Sequence, residues 1–312
     1  MQLISNTTDF RLMSETAVGI GKFDGFHLGH KKLLEEILKA GKKGLTSVVF
    51  TFDPLPEVLF GRRSGQLLTT REEKRKLFES MGVDVLIEYP MNRETASMEA
   101  EVFVREILVS RLRLSLLTAG ADLSFGRGGR GNAEMLAKMA EEFDFRLNLI
   151  EKVRHGDREI SSTYIRQEVA QGHMECVEEL LGEPYQLMGE VVHGAKLGRR
   201  IGMPTINLVP ETDKLLPPLG VYFSRTVIGG RGYRSITNIG RKPTVASELA
   251  VGAESYLYEF DKDVYGSAAT VQLLHFWRPE KRFDSLEELK NQMMKDVEAG
   301  RQYVPLVRIG KV

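Results

Sequence analysis

Apolar positions in the first half of the chain alternate between two periods. Ala17 to Ile20 reads as a strand, and Leu33, Leu34, Ile37 and Leu38 then recur at helical spacing. Ser47 to Phe52 is a β-branched and aromatic strand. Thr70 with Glu73 has the spacing of a capping box, which opens a helix carrying Leu77 and Met81 and closed by Gly82. Val83 to Ile87 is the next strand. Val102, Phe103, Ile107 and Leu108 mark another helix, and Leu114 to Ala119 another strand. Asn132 caps a helix containing Met135, Leu136 and Met139, and Arg146 to Ile150 is again a strand. Such alternation predicts a parallel sheet with helices on both faces, whose ligands bind beyond the carboxyl ends of the strands.

The pattern changes near Gly182-Glu183-Pro184. Beyond it come short strand-like runs set off by glycine and proline: Gln186 to Val192, Gly220 to Val227, Tyr233 to Asn238, Glu254 to Phe260 and Thr270 to Trp277. They predict an antiparallel barrel or sandwich. A last helix is expected from Ser285, with Glu288 completing a capping box and Leu286, Leu289, Met293 and Val297 buried. The fold class is therefore α/β followed by all-β, with a boundary at 183–186.

Composition narrows the function classes. The 312 residues carry 43 basic and 43 acidic side chains, which argues against a dedicated nucleic-acid binder. No apolar run is long enough to span a bilayer, and the N-terminus lacks a signal-peptide pattern. Cys176 is the one cysteine, so no internal disulfide forms; a cytoplasmic enzyme is expected. Cys176 lies in a helical pattern and reads as a core residue.

The candidate chemistry sits at turns. Gly21-Lys22-Phe23-Asp24-Gly25-Phe26-His27-Leu28-Gly29-His30 joins the first strand to its helix. A helix N-terminus attracts phosphate, and Gly21 and Gly29 let the backbone approach it. His27 and His30 would donate to charge developing on a phosphoryl oxygen. Ser161-Ser162-Thr163-Tyr164-Ile165-Arg166 brings hydroxyls to a helix start with a guanidinium one turn on, which suits a polyphosphate tail. It is also what an ordinary capped helix with an exposed arginine looks like. Ala119 to Arg127, containing Asp122, is a glycine-rich loop after a strand. In the second half, Gly194, Gly198, Arg199, Gly202, Pro204, Thr205 and Asn207 make a glycine-rich basic loop ending in Pro-Thr-Ile-Asn. Asn238 to Thr244 is a second such turn, and Trp277 to Phe283, with Arg278, precedes the last helix.

Taken in order, these segments resemble the bacterial bifunctional riboflavin kinase/FAD synthetase family. That family shows a Gly-x-Phe-Asp-Gly-x-His-x-Gly-His turn, matched at Gly21 to His30. Its Phe-x-x-Pro-x-Pro loop is similar to Phe52-Asp53-Pro54-Leu55-Pro56, its Gly-x-Asp-Phe-x-Phe-Gly loop to Gly120 to Gly126, and its Ile-Ser-Ser-Thr-x-Ile-Arg motif to Ile160 to Arg166. Leu55 stands where a histidine is usual, Leu123 where an aromatic is usual, and Lys22 where asparagine is common. The second half resembles the riboflavin kinase module, with Gly202-Met203-Pro204-Thr205-Ile206-Asn207 its most specific segment.

The resemblance implies a Rossmann-like nucleotidyltransferase domain at 1–183, transferring adenylyl to FMN. It implies a kinase domain at 186–312, a six-stranded antiparallel barrel with a terminal helix that phosphorylates riboflavin. Riboflavin, FMN, FAD and ATP are the implied partners, with Mg²⁺ accompanying ATP as co-substrate. His27 and His30 would stabilise the transferring phosphate, while Ser162, Thr163 and Arg166 hold the departing pyrophosphate. Asp122 would contact adenosine or flavin, Phe23 would line the site, and Asp24 would order the turn rather than touch substrate. Thr205 and Asn207 would hold Mg²⁺–ATP, and Glu254 would act as general base. Arg278 would either stabilise charge or pair with Glu280, the pairing being favoured. His193 and His275 show no clear partners. Neither nucleic acid nor membrane is expected as a partner, and a weak homo-oligomer is compatible with a sequence in which no exposed apolar stripe demands one.

Two other readings stay open at this level. The first half resembles other nucleotidyltransferases, acting for example on pantetheine phosphate or nicotinamide mononucleotide, though the kinase-like half counts against them. Class I aminoacyl-tRNA synthetases share the histidine turn, but no Lys-Met-Ser-Lys-Ser loop is present. A flavin-binding regulator with weakened catalysis would fit Leu55 and Leu123 but not the retained His27, His30, Arg166, Thr205, Asn207 and Glu254.

Overall fold

The computed structural model describes residues 1–61, 65–194, 197–243 and 249–305. Two compact units divide between Ser162 and Thr163. In the first, β1 (Gln2–Ser5), β2 (Thr16–Ile20), β3 (Thr46–Asp53), β4 (Val85–Pro90), β5 (Leu114–Gly120) and β6 (Arg146–Ile150) form one parallel sheet in the order β1-β4-β3-β2-β5-β6. The chain leaves β2 toward one edge and returns to its other side at β5. The sheet's topological switch point therefore lies between β2 and β5, where such sheets bind ligands.

Helices cover both faces, as expected. On one face α1 (Leu28–Gly41) and α3 (Arg71–Ser80) bury Leu33, Leu34, Ile37 and Phe78 against Ala17, Val49 and Leu86. A Cβ on Gly19 would lie 2.5 Å from Leu33, so the glycine lets α1 press closely onto β2. The short α2 (Pro56–Leu59) follows β3. On the other face α4 (Ala100–Val102), its continuation Phe103–Arg111 and α5 (Ala133–Phe143) enclose Val18, Val48, Phe50 and Ile87. A two-stranded hairpin, β7 (Arg154–His155) and β8 (Arg158–Glu159), precedes Ser162.

The caps work as the sequence suggests. Thr70 and Glu73 make both halves of their box, and the Asn132 side chain accepts the Met135 N–H at 2.9 Å. The expected helix over Val102–Leu108 takes a different form. Past Val102 it widens into a π-helix, in which Leu112 N–H donates to the Ile107 carbonyl five residues back, and Val102 itself is exposed.

The second unit begins within α6 (Ser162–Gln171), followed by α7 (Met174–Leu181). Then come β9 (Tyr185–Val192), α8 (Leu197–Arg200), β10 (Thr205–Leu208), β11 (Gly220–Ile228), β12 (Arg231–Pro243), β13 (Leu249–Leu257), β14 (Ala268–Pro279) and α9 (Leu286–Gln302). The six strands close an antiparallel barrel in the order β10-β13-β12-β11-β14-β9, which decides between the barrel and the sandwich. Its interior carries buried hydroxyls bonded strand to strand: Thr226 to Ser235, Ser235 to Ser224, Ser224 to Thr237 and Thr237 to Ser255, at 2.7–2.8 Å.

The last helix differs in detail. Ser285 accepts the Glu288 N–H, but the Glu288 carboxylate takes the N–H of Asp284, so the expected capping box is half made. Leu286, expected inside, is 42% exposed, because the first turn of α9 lies over solvent. Leu289, Met293 and Val297 are half-buried, and the buried positions are Asp296 and Gly300. Thr244 of the second glycine turn lies outside the described residues.

Candidate active sites

The histidine turn leaves the carboxyl end of β2 at the switch point. Three consecutive features force its path. Phe23 and Phe26 have positive φ (48° and 24°) although neither is glycine, a conformation that stores strain. Gly25, at φ +87°, sits where a Cβ would meet Leu68 at 2.7 Å. Asp24, buried, accepts the Leu68 N–H at 2.8 Å, and Gly25 N–H donates to the Thr69 hydroxyl. The turn is thereby fastened to the segment leading into α3. Ser162 Oγ donates to the Asp24 carbonyl at 2.7 Å.

This path stacks the two imidazoles, with ring centroids 3.8 Å apart and planes 21° apart. A Cβ on Gly29 would lie 3.1 Å from the His27 ring, so glycine there leaves the imidazole its place. Burial lowers the His27 pKa to about 4, with the Asp24 and Asp122 charges working against the fall. Burial likewise drives His30 well below its usual value, helped by His27 and the Lys74 ammonium. Both rings are neutral at pH 7, and both Nδ1 atoms are buried without a hydrogen-bond partner among the described residues. The pair thus offers neutral N–H donors from two half-buried rings whose Nδ1 atoms are enclosed.

The structure brings together Gly21, Phe23, Asp24, His27, Gly29, His30 and Ser162 in the first unit. Asp122, in the loop after β5, is exposed and paired with Lys152 at 3.3 Å. Thr163 and Arg166 follow on α6 in the second unit. Leu55 is buried and Leu123 packs against the core, so both unusual residues are apolar packing groups here. Lys22 pairs with Glu57.

In the second unit, a cavity of about 210 Å³ lies between the barrel wall and α9. Val221, Ile236 and Tyr256 line one side, and Phe283, Leu289, Met293 and Val297 the other. Its polar lining includes Thr205, Asn238, Glu254 and Arg278. Asn207, Glu254 and Asn238 are lateral neighbours on β10, β13 and β12, so their side chains share one face of the barrel. The Thr205 hydroxyl donates to Glu254 Oε1 at 2.6 Å. Glu254 lies deep in β13 rather than at its start, and that interior position fixes it beside Asn207.

The loop before β10 is built on close approaches. A Cβ at Gly194 would lie 2.3 Å from the Asn207 amide, and one at Gly198 would lie 2.3 Å from the Met203 carbonyl. Gly202 turns at φ +78°, and Pro204 leads into Thr205. Arg199 lies over the Tyr265 ring, which also meets the His193 ring at a tilt of 37°, centroids 3.8 Å apart.

Arg278 corrects one expectation. Its guanidinium binds Asp296 through Nε at 3.0 Å and a terminal nitrogen at 2.6 Å, rather than Glu280. Glu280 instead extends over Gly240, where a Cβ would meet its carboxylate. Asp296 also accepts from Trp277 Nε1 and Gln292. His275 has a partner after all, Glu175 of α7 at 2.6 Å. Cys176 is half-buried, with its sulfur 3.8 Å from the Tyr164 hydroxyl.

Two side chains with a place in these sites went unread. Asp296 falls on the apolar stripe of α9 and Lys74 on that of α3. In each case a charged residue on a buried helical face is the signal that could have found it.

The chain is similar to known proteins over both units. The family model for FAD synthetase matches residues 10–164 and that for riboflavin kinase residues 181–304. A bifunctional riboflavin kinase/FMN adenylyltransferase of Listeria monocytogenes is 34% identical, over 95% of each chain. One of Escherichia coli, of the same description, is 36% identical over 93% of each. A crystal structure described as a macrolide-efflux protein from Streptococcus pneumoniae superposes with a TM-score of 0.83 at 30% identity, covering 97% of this chain and 100% of that one. Among the described residues no helix is long and apolar enough to cross a membrane.

Proposed function

The chain belongs to the bifunctional riboflavin kinase/FMN adenylyltransferase family, and from that premise we propose how its residues divide the two reactions. It converts riboflavin and ATP to FMN and ADP, then FMN and ATP to FAD and pyrophosphate. We assign adenylyl transfer to residues 1–183 and phosphorylation to 186–312, a division the two family matches support.

In the first reaction site an FMN phosphate oxygen attacks the α-phosphorus of ATP, and the bond to pyrophosphate breaks. The nucleophile is already an anion, so no base is needed. The barrier is the approach of like charges, and it falls through positioning and hydrogen bonding. His27 and His30 donate to the transferring phosphate, neutral before it binds. Gly21 and Gly29 open the backbone, Phe23 lines the turn, and Asp24 orders it. Ser162, Thr163 and Arg166 hold the departing pyrophosphate, and Asp122 contacts adenosine or flavin.

In the second, the apolar and aromatic lining of the cavity suits a flavin ring. Glu254 accepts the proton of the terminal ribityl hydroxyl as its oxygen attacks the γ-phosphorus and ADP leaves. The observation that carries this is the Glu254 carboxylate inside the cavity, held by Thr205. Hydroxyl, amide and carboxylate oxygens gathered at one end fit a hard divalent cation that keeps phosphate and water ligands. Thr205 and Asn207 would hold that Mg²⁺, which when bound offsets phosphate charge. Gly194, Gly198, Arg199, Gly202 and Pro204 cradle the nucleotide phosphates, and Asn238 and Arg278 face the substrate.

Separating the flavins formed by purified protein tests the division. Glu254→Ala stops FMN formation from riboflavin but leaves FAD formation from added FMN. His30→Ala does the reverse. Loss of both activities from either substitution, in a folded protein, overturns it.

A further inference from the structure

Helix α3 carries a lysine on its buried face. Lys74 is 6% exposed and lies one turn before Phe78, on the same side of the helix. Phe78 meets the rings of Phe23 and Phe26 edge-on, at 5.4 and 5.6 Å. Those rings flank His30, with centroids 5.1 and 6.4 Å from it. The face of α3 that bears Lys74 therefore packs on the turn that bears the histidines.

No hydrogen bond or ion pair joins the Lys74 ammonium to another of the described residues, and its nitrogen is not wholly enclosed. The carboxylates whose charges act on it are engaged elsewhere. Glu88 takes both arms of Arg75, at 3.0 and 2.6 Å. Asp53 pairs with Arg71, and Asp24 accepts the Leu68 N–H. Burial lowers the lysine's pKa, and its charge in turn helps hold His30 neutral. A buried cation without a direct counter-ion is costly to keep. An anion arriving at the histidine turn would relieve that cost.

We propose that Lys74 is a phosphate-binding residue of the first site, its ammonium pairing with a phosphate group of the bound nucleotide beside His30. This rests on adenylyl transfer taking place at the histidine turn. The phosphate belongs either to the ATP tail or to FMN, and kinetics separate the two.

The test uses the full chain with Lys74→Met, Lys74→Arg and, in parallel, His30→Ala. FAD formation from added FMN is followed with ATP varied, then with FMN varied, and thermal unfolding is recorded without nucleotide. Lys74→Met raises KM for one of the two substrates about tenfold or more, the loss of one charge-assisted hydrogen bond. The substrate affected is the one whose phosphate Lys74 holds. Riboflavin phosphorylation stays at the parent rate. Lys74→Met unfolds no lower than the parent, since a buried charge has been removed, and Lys74→Arg recovers most of the lost affinity. KM values for ATP and FMN both within twofold of the parent, while His30→Ala abolishes FAD formation, overturn the Lys74 assignment alone. Full FAD formation by His30→Ala overturns the placement of the reaction instead. An unfolding temperature lowered in both lysine variants without a KM change assigns Lys74 to packing and also overturns the proposal. If Lys74→Met does not fold, Lys74→Gln removes the charge while keeping a polar end.

Discussion

The two stacked histidines act through their lack of charge. His27 in the folded protein has a pKa of about 4 against an ordinary 6.5, so it binds its proton more weakly than in the unfolded chain. Between those values the unfolded chain holds more protons, and stability rises with pH across that window. Above pH 6.5 the contribution is constant; below it, stability is lost as the pH falls toward 4. His27→Gln is therefore expected to flatten the fall in unfolding temperature over that acid range while leaving the neutral value little changed. An unaltered slope would show that the ring is solvated rather than desolvated. Catalysis should carry the same signature. Because neither ring of the free enzyme titrates near neutrality, kcat/KM for ATP in FAD formation should follow only the ionisation of the substrate phosphates from about pH 6 to 8. A further loss with rising pH, beyond that of the substrate phosphates, would mean that a histidine cation is the working form.

At the scale of elements, the sequence was most legible where side chain and backbone interact within a few residues. The Thr70–Glu73 box and the Asn132 cap needed no distant partner, and each formed where its pattern lies. Elements shaped by distant contacts were not legible. The apolar spacing of Val102 to Leu108 serves an α-helix and a π-helix alike, since the two differ in backbone bonding and not in which residues face inward. Strand β10, four residues inside a glycine-rich loop, is too short for periodicity to reveal. Asp296 was invisible as a site residue because two of its partners, Trp277 and Arg278, lie on β14. That cluster also carries a consequence. Asp296 is 3% exposed, and removing it strands the Arg278 guanidinium beside the cavity. Asp296→Ala should cost about 3 kcal/mol of stability, the penalty for an uncompensated buried charge, and should slow FMN formation without affecting FAD formation. Denaturant unfolding followed by the fluorescence of Trp277, the one tryptophan, reads the barrel directly. A change below about 0.5 kcal/mol would mean that water replaces the carboxylate, as it does at exposed pairs.

For the whole molecule, the compact units and the sequence pattern draw different lines. The pattern changes at 183–186 and the kinase family match begins at 181, yet compactness sets α7 with the barrel. The contacts explain why. Met174, Val177 and Leu180 on α7 are fully buried, Glu175 binds His275 of β14, and Gly172 lies against Phe276. A barrel cut at 186 would expose those partners. Each large apolar side chain removed from such a core is worth roughly 1.5–3 kcal/mol, as an upper bound. A fragment of residues 163–312 should therefore phosphorylate riboflavin with the parent KM and unfold cooperatively, whereas 186–312 should unfold at a markedly lower temperature or fail to fold. Calorimetry of the two fragments decides it. Equal stability would show that α7 is carried by the barrel without supporting it, and the functional boundary would then coincide with the change in sequence pattern. A large difference would mean that the unit able to fold extends beyond the segment bearing the kinase motifs. The motifs mark where phosphate chemistry is done, and the stable unit also includes the helix that covers β14 on its way to that chemistry.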